Sequence, residues 1–577
     1  MKCRTAACKT AEPQKERLKV VLFLLLAFYF SLCASAQVGT CEPAQAQAIL
    51  DAGNARALIL NDGALFTKRQ FNAPNTRLYE IPKGTGLNSL YISNVWIGGL
   101  IDEELHISAS LIGPQEFWPG PLDINGNPPS DCAVYDKIWE IRRADLQMFI
   151  DTGDISNNLR DWPWQLGAPV VDADGNPDNY NLDAGDLPEL LGDQRLWWVM
   201  NDRGNAHGST NSEPIGLEVH GSAFSFGSPV KLANVTFFTY KLINKNKSAL
   251  KKAYFGMYSD VDLGNYDDDY IGSDSLLHLV YGYNDNNIDE GGYGEAPPAI
   301  GYTLIQTAFA EADGLDNDRD GLVDEPGEMI GTSSAMENLD DGIFTSGPRS
   351  AQDYYYRMQG RWKDGAPIYE GLHGYYYGAA SWPANLPLKT TRFFYSGDPT
   401  TKSFWTMFDT GDEQGQVLGA DIRMDLASGP FDILPGHSVD ITAAIVWARG
   451  DNHLDSVKEL KGLTFGIRES TGELLQPVIP APTQVPVHLP TSLGFSENFP
   501  NPFAESTTLR YSLPQSMQVR LAVFDMLGRE VEVLVEQQQD AGLYTINFEA
   551  GTLPSGIYLA RIELDHLRFT KRMVLAR

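Results

Sequence analysis

Strand-like apolar runs dominate this chain, and near its end they alternate with a period of two, Leu509, Tyr511 and Leu513 between Thr508, Arg510 and Ser512. SLYISNVWIGGLI (89–101), LEVHGSAFSF (217–226), NVTFFTYKLINK (234–245), KKAYFGMYSDVDL (251–263) and VDITAAIVWARG (439–450) are rich in β-branched and aromatic residues, which suit a pleated, half-buried surface. Between 218 and 263 three such runs are separated by Gly227-Ser228-Pro229 and by Asn244-Lys245-Asn246-Lys247, both turn-forming, which predicts a three-stranded antiparallel meander. Helical periodicity is scarce. Its best instance is His453 to Lys461, with Leu454, Val457 and Leu460 three apart and Gly462 as a stop. The whole predicts a mainly β protein: a multi-domain β-sandwich body with short helices, and a small C-terminal immunoglobulin-like β-sandwich.

Punctuation divides the chain. Six basic residues (Lys2, Arg4, Lys9, Lys15, Arg17, Lys19) precede the apolar run Val20 to Cys33, and Ala34-Ser35-Ala36 offers the small residues of a cleavage site, so residues 1–36 read as a signal peptide. The apolar run falls short of the roughly 20 residues of a spanning helix, and no other segment is long enough to span. A β-rich body covers 37–475, as one unit or as two subdomains divided near 210. Residues 476–490, QPVIPAPTQVPVHLP, hold prolines at 477, 480, 482, 486 and 490, which favour extended polyproline geometry and make a linker. Residues 491–577 return to short strands with glycine and proline turns.

Within that tail, NFPNPF (498–503), TTLRYSLP, VFDMLGREV, LPSGIYLARI and the final KRMVLAR occur in an order and spacing that closely resemble the type A C-terminal sorting domain of type IX secretion. The resemblance implies Sec export, passage across an outer membrane through the type IX machinery as partner, and a final place outside the cell or on its outer-membrane surface. The body, with GAPVVDADGN, YSDVDLGNYDDD and IVWARGDNHLDSV, resembles uncharacterised exported proteins carrying the same tail, and that likeness implies no activity.

Charge narrows the partners. The formal net charge is −31 at pH 7, and loss of the basic leader makes the exported chain more acidic still, so nucleic acid and anionic membranes are repelled. Three of the five cysteines lie in the leader; Cys41 and Cys132 remain, and an oxidising exterior permits one bridge between them. Such a bridge stabilises by at most about 4.6 kcal/mol on the chain-entropy model.

The sharpest chemistry is DNDRDGLVDE, with Asp316, Asp318 and Asp320 at positions 1, 3 and 5, Gly321 for the turn, the Leu322 carbonyl at position 7 and Asp324 at position 9. Alternating oxygen ligands of this kind wrap calcium, although Gly327 replaces the position-12 glutamate of an EF-hand and Pro326 stops an exiting helix. The loop is more similar to the shorter calcium loops of thrombospondin type 3 repeats or dockerins. Asp172-Ala173-Asp174-Gly175-Asn176-Pro177, with Asp178 and Asp183 nearby, repeats the spacing; Asp123-Ile124-Asn125-Gly126-Asn127-Pro128 does so with fewer carboxylates, and Asx-Gly turns form such loops without metal. A further group, Asp260, Asp262, Asp267, Asp268 and Asp269, crowds like charges that either a cation or plain hydration relieves. The expected cofactor is structural calcium, bound at about 10⁻⁴ to 10⁻³ M as in extracellular modules.

No HExxH, GxSxG, P-loop or dinucleotide glycine pattern occurs, and the nine histidines are scattered, as in His106, His207, His220 and His373. The reading is an exported, calcium-stabilised structural or binding protein, with a surface glycan or protein as partner. Two alternatives stand beside it. A secreted hydrolase of polysaccharide or protein needs only two carboxylates placed by the fold. A carbohydrate-binding module would use rings such as Trp162, Trp164, Trp197, Trp198, Tyr354–Tyr356 and Tyr375–Tyr377, which equally suit a sandwich core. Arg449-Gly450-Asp451 spells an adhesion tripeptide at a place where Asp451 or Asn452 serves equally as a helix cap.

Overall fold

The strand-like runs form ladders. The computed structural model describes residues 39–68, 76–113, 115–229, 231–310, 316, 323–324, 327–338, 343–410, 421–481, 492–565 and 567–577. The leader, Asp318, Asp320, Leu322 and most of the proline-rich linker lie outside the described residues. Two compact units result: a body of the described residues up to Pro480 apart from Gln147–Gly153, and a second unit of that stretch with Ala481–Arg577.

In chain order the body's main elements are β1 (Gln47–Leu50), β2 (Arg56–Leu60), β3 (Ala64–Leu65), β4 (Leu90–Ile101), β5 (Trp139–Arg142), β6 (Gln194–Asn201), β7 (Leu217–Ser225), β8 (Val235–Asn244) and β9 (Leu250–Val261). Then come β10 (Asp269–Asp274), β11 (Leu279–Asn284), β12 (Ala299–Gln306), β13 (Ser334–Glu337), α1 (Ala351–Met358), β14 (Arg423–Ile433), β15 (Ser438–Ala448) and α2 (His453–Glu469). One sheet runs β1-β2-β3-β4-β9-β14-β13; the other runs β5-β6-β7-β8-β15-β12-β11-β10. The two face each other over one apolar core: Phe66 lies edge-on to Phe238 at 6.3 Å and Tyr240 against Phe255 at 5.5 Å. Polar pairs also cross the gap, with the hydroxyls of Tyr79 and Thr236 2.9 Å apart and the Tyr302 hydroxyl donating to Ser259. Strands from either side of residue 210 share each ladder, since β4 pairs β9 and β6 pairs β7.

The expected meander is corrected at its third strand. β7 pairs β8 antiparallel, Leu217 opposite Asn244 and Ser225 opposite Thr236, but β8 then pairs β15, and β9 crosses to the facing sheet between β4 and β14. Asn244 builds the corner: its Nδ2 donates to the carbonyls of Ser248 and Ile433, and its Oδ1 accepts the Asn246 N–H. The cause is that β9 is apolar on both faces. Phe255 and Met257 enter the main core, while Tyr254 and Tyr258 enter a second cluster under α1, where Trp96 stacks on Tyr258 at 5.4 Å and meets Tyr354 edge-on at 5.0 Å. A strand at the middle of a covered sheet takes such a pattern; the solvated edge of a meander does not.

α2 corrects the helix reading. It starts where expected, Asn452 Oδ1 accepting the N–H groups of Leu454 and Asp455, but runs through Gly462 to Glu469. Glycine costs a helix interior about 1 kcal/mol. That cost is offset by the buried stripe Val457, Leu460, Thr464 and Ile467, while Gly462 itself is exposed.

The tail unit has strands β16 (Gly494–Phe495), β17 (Ser506–Leu513), β18 (Met517–Asp525), β19 (Glu530–Gln539), β20 (Gly542–Glu549), β21 (Gly556–Leu564) and β22 (Leu567–Leu575). They form sheets β16-β17-β20 and β19-β18-β21-β22. Leu509, Tyr511 and Phe548 of one sheet pack with Val519, Leu521 and Ile562 of the other in a core of their own. The chain is mainly β, with a sandwich at its end.

Candidate cation sites

Asp172 sits where an Asx-Gly turn must form. Its Oδ1 accepts the N–H groups of Gly175 at 2.7 Å and Asn176 at 3.1 Å, and Gly175 takes φ +74°, a region glycine enters without strain. Asp174 Oδ1 accepts the Asn176 N–H, and Asn179 donates to its other oxygen. The third carboxylate comes from farther along: Asp186, 1 % exposed, accepts the N–H groups of Ala173 at 3.0 Å and Asn181 at 2.7 Å. Asp172, Asp174 and Asp186 each bring one oxygen within 4.8 Å of the others. Oxygens on a calcium ion lie 2.3–2.6 Å from it, so two on opposite sides stand up to about 5 Å apart, and the spacing fits one ion. Asp178 and Asp183 are not in this trio.

The second trio is Asp260, Asp262 and Asp421, again within 4.8 Å. Asp260, near the end of β9, stands opposite Arg423 of β14; Arg423 Nε is 3.3 Å from Asp260 Oδ1, and its Nη2 is 2.6 Å from Asp421 Oδ2. Burial pushes the Asp260 carboxyl up to about 7, with Asp421 and Asp262 adding to the rise and Arg423 opposing it. A guanidinium therefore already offsets part of this trio's charge, whereas no ion pair to Asp172, Asp174 or Asp186 occurs among the described residues. Of the two trios, the first is the one whose negative charge no guanidinium offsets among the described residues.

The run after Asp262 divides. Asp267 is exposed, and neither it nor Asp269 belongs to the trio. Asp269 opens β10 in the facing sheet, is wholly buried, and accepts the Leu263 N–H with Oδ2. Burial drives its carboxyl well above the usual range, with Asp268, Asp289 and Asp262 adding to the effect. In the Asp123 loop both carboxylate oxygens are taken up by the turn, through Asn125, the Asn127 N–H and the Asn127 side chain. Of the 316–324 loop, Asp316 and Asp324 are described; the Asp324 N–H donates to the buried Glu328, and a bridge between Phe309 and Met329 closes the loop's base.

Asp186 and Asp421 complete the two trios and were missed by sequence reasoning. Asp186 stands twelve residues beyond Asp174 with no motif spacing, and only the pairing of β9 with β14 brings Asp421 near Asp260. Half of the rings considered for sugar stacking are core: Trp162, Trp197, Trp198, Tyr354 and Tyr355 are buried, while Tyr377 is 63 % exposed. Arg449 of the tripeptide spends its guanidinium on the carbonyls of Tyr293, Glu295 and Ala296. His106 and His207 face backbone carbonyls, and His373 is exposed. Cys41 and Cys132 are joined, their Cα atoms 5.6 Å apart.

Residues 497–576 match the secretion system C-terminal sorting domain. No curated protein matches the chain. Solved structures similar to it include a polysaccharide lyase, 9 % identical over 70 % of this chain and 38 % of that one with a TM-score of 0.16. Another is dimeric latent PorU from Porphyromonas gingivalis, 10 % identical over 66 % of this chain and 31 % of that one with a TM-score of 0.13. The chain spans about a third of the length of each. The sorting domain marks the protein for type IX export to the cell surface or the extracellular space, and so for interaction with that machinery. No helix among the described residues is long and apolar enough to cross a membrane.

Proposed function

We propose that a body delivered outside the cell by its sorting tail serves there as a structural or binding component, with calcium holding its long loops in place. The observation that carries this reading is the trio of Asp172, Asp174 and Asp186, whose oxygens lie within 4.8 Å with no ion pair to them among the described residues. A divalent ion there ties the 172–176 turn to the strand-flanking segment at Asp186, two loops that otherwise repel. Asp260, Asp262 and Asp421 form a weaker site, and the 316–324 loop adds a third through Asp316, Asp318, Asp320, the Leu322 carbonyl and Asp324. An ion bound by the folded chain and not the unfolded one stabilises by mass action, about 2.7 kcal/mol at a hundredfold excess over Kd. The test is a thermal melt of the exported chain in millimolar calcium and in chelator. A rise of several degrees with calcium, absent with magnesium, supports the reading; superimposable curves refute it.

A further inference from the structure

The second sheet carries a built groove on the face turned away from the core. Tyr240 and Phe238 of β8 point inward, so Thr239 and Lys241 point outward. The ladder sets Ser222, Thr239 and Thr442 side by side in one row with Gln306 beyond, and His220, Lys241 and Asp440 in the next. Polar rows on an outer face are usually open to water or buried under a helix. Here Gly167, Pro169 and Leu475 line the face as well, leaving a cavity of about 340 Å³, near the lower bound of small-molecule sites.

Its charges are internally matched. Arg195, 4 % exposed, donates from Nη1 to the carbonyl and carboxylate of Glu189 and from Nε to Ser222 Oγ at 2.8 Å. His220 Nε2 lies 2.9 Å from Glu218, and Lys241 stands opposite Asp440 in register. An anionic ligand would meet a guanidinium already engaged, on a protein of net charge −31. The Thr442 hydroxyl already donates to Gln306 Oε1 at 3.5 Å, but an apolar ligand would still cover the Thr239 hydroxyl and the Gln306 NH2 group, at about 1–3 kcal/mol for each one left without a partner. What remains is a neutral ligand dense in both donors and acceptors, with an apolar face for Pro169 and Leu475.

We infer that this groove binds a neutral saccharide, one or two rings long. Planar Gln306 and Asp440, with the ammonium of Lys241, bond vicinal hydroxyls, and the half-buried apolar surface of Pro169 and Leu475 takes the C–H face of the sugar. The inference rests on export to a place where glycans occur and not on calcium, so the melt above and the binding assay below fail independently.

The experiment is isothermal titration of the full exported chain, in calcium, with two- to four-ring oligomers of glucose, mannose, galactose and N-acetylglucosamine, and with oligogalacturonate as the anionic comparison. The expected result is saturable binding of at least one neutral oligomer. Lys241→Ala with Gln306→Ala, neither in the core, should weaken it tenfold or more without moving the melting temperature, and Asp440→Ala, at an exposed position, should weaken it independently. Absence of binding by every neutral oligomer, binding of oligogalacturonate alone, or unchanged affinity in both variants each overturns the inference.

Discussion

Arg357 of α1 reaches into the first sheet, where its Nη2 lies 2.6 Å from Oδ1 of Asp425 on β14, the two side chains 1 % and 2 % exposed. The same guanidinium donates to the Glu337 carbonyl and so ties the helix to both β14 and β13. Nη1 of Arg357 and Oδ2 of Asp425 find no further hydrogen-bond partner among the described residues. Removing one member strands a buried charge, so Asp425→Ala should cost about 3–5 kcal/mol. Replacing both, as Arg357→Met with Asp425→Leu, should recover most of that, because the pair's incomplete hydrogen bonding leaves much of its desolvation unrepaid. Denaturant titration of the two variants checks this; a double variant as unstable as the single one contradicts it.

The calcium reading predicts a separable effect at the stronger trio. Asp172→Asn with Asp174→Asn keeps the side-chain oxygens that accept the Gly175 and Asn176 N–H groups but removes two charges. The melting temperature in chelator should stay level or rise, since each like-charge pair costs about 1 kcal/mol in water. The calcium-induced rise should shrink by more than half. Asp316→Ala with Asp320→Ala measures the third loop's share in the same assay. If neither pair of substitutions alters the calcium response, the ion binds elsewhere.

Protons should compete with calcium at the second trio. Asp260 holds its proton up to about 7, against an unfolded value near 4. Between those values the folded chain binds a proton that the unfolded chain has lost, so stability in chelator falls as pH rises from about 4 to about 7, by up to about 1.4 kcal/mol per pH unit. Burial raises Asp269 and Asp425 in the same direction and adds to the slope. Asp260→Asn should flatten the slope measured by chemical denaturation at pH 5, 6, 7 and 8 in chelator. A slope identical to the parent's removes Asp260 as its source.

Legibility in the sequence followed the range of the interaction. β-branched and aromatic runs bounded by turn residues located the long strands, and Asn452 announced α2, because both depend on neighbours in the chain. The crossing of β9 to the other sheet was hidden because a strand apolar on both faces names no partner. α1 was hidden because three tyrosines read as strand material. Its signal was Ser350 three residues before Asp353: the Ser350 hydroxyl accepts the Asp353 N–H while Asp353 accepts the Arg349 N–H. Asp172 and Asp174 were legible as a turn motif, and Asp186 and Asp421 were not, since folding alone makes them neighbours of the others.

The tail should be dispensable for folding and required for delivery. Its core, built on Leu509, Val519, Phe548 and Ile562, shares no residue with that of the body. The NPF turn closes the final edge strand: Asn501 Oδ1 accepts the Val574 N–H, Asn501 Nδ2 donates to the Arg572 carbonyl, and Phe503 exchanges bonds with Val574 and Ala576. Arg577 then anchors the chain end to the Ala504 and Gly551 carbonyls. Deleting residues 491–577 should leave the body's melting temperature within about 2 °C of the parent, as expected for cores that fold separately, and should hold the protein in the periplasm. Asn501→Ala, which opens the edge without removing the tail, should reduce delivery in proportion to the fraction of tails unfolded. Fractionation and surface proteolysis read both variants. Surface delivery of the truncated chain at the parental level would show that export does not run through this domain.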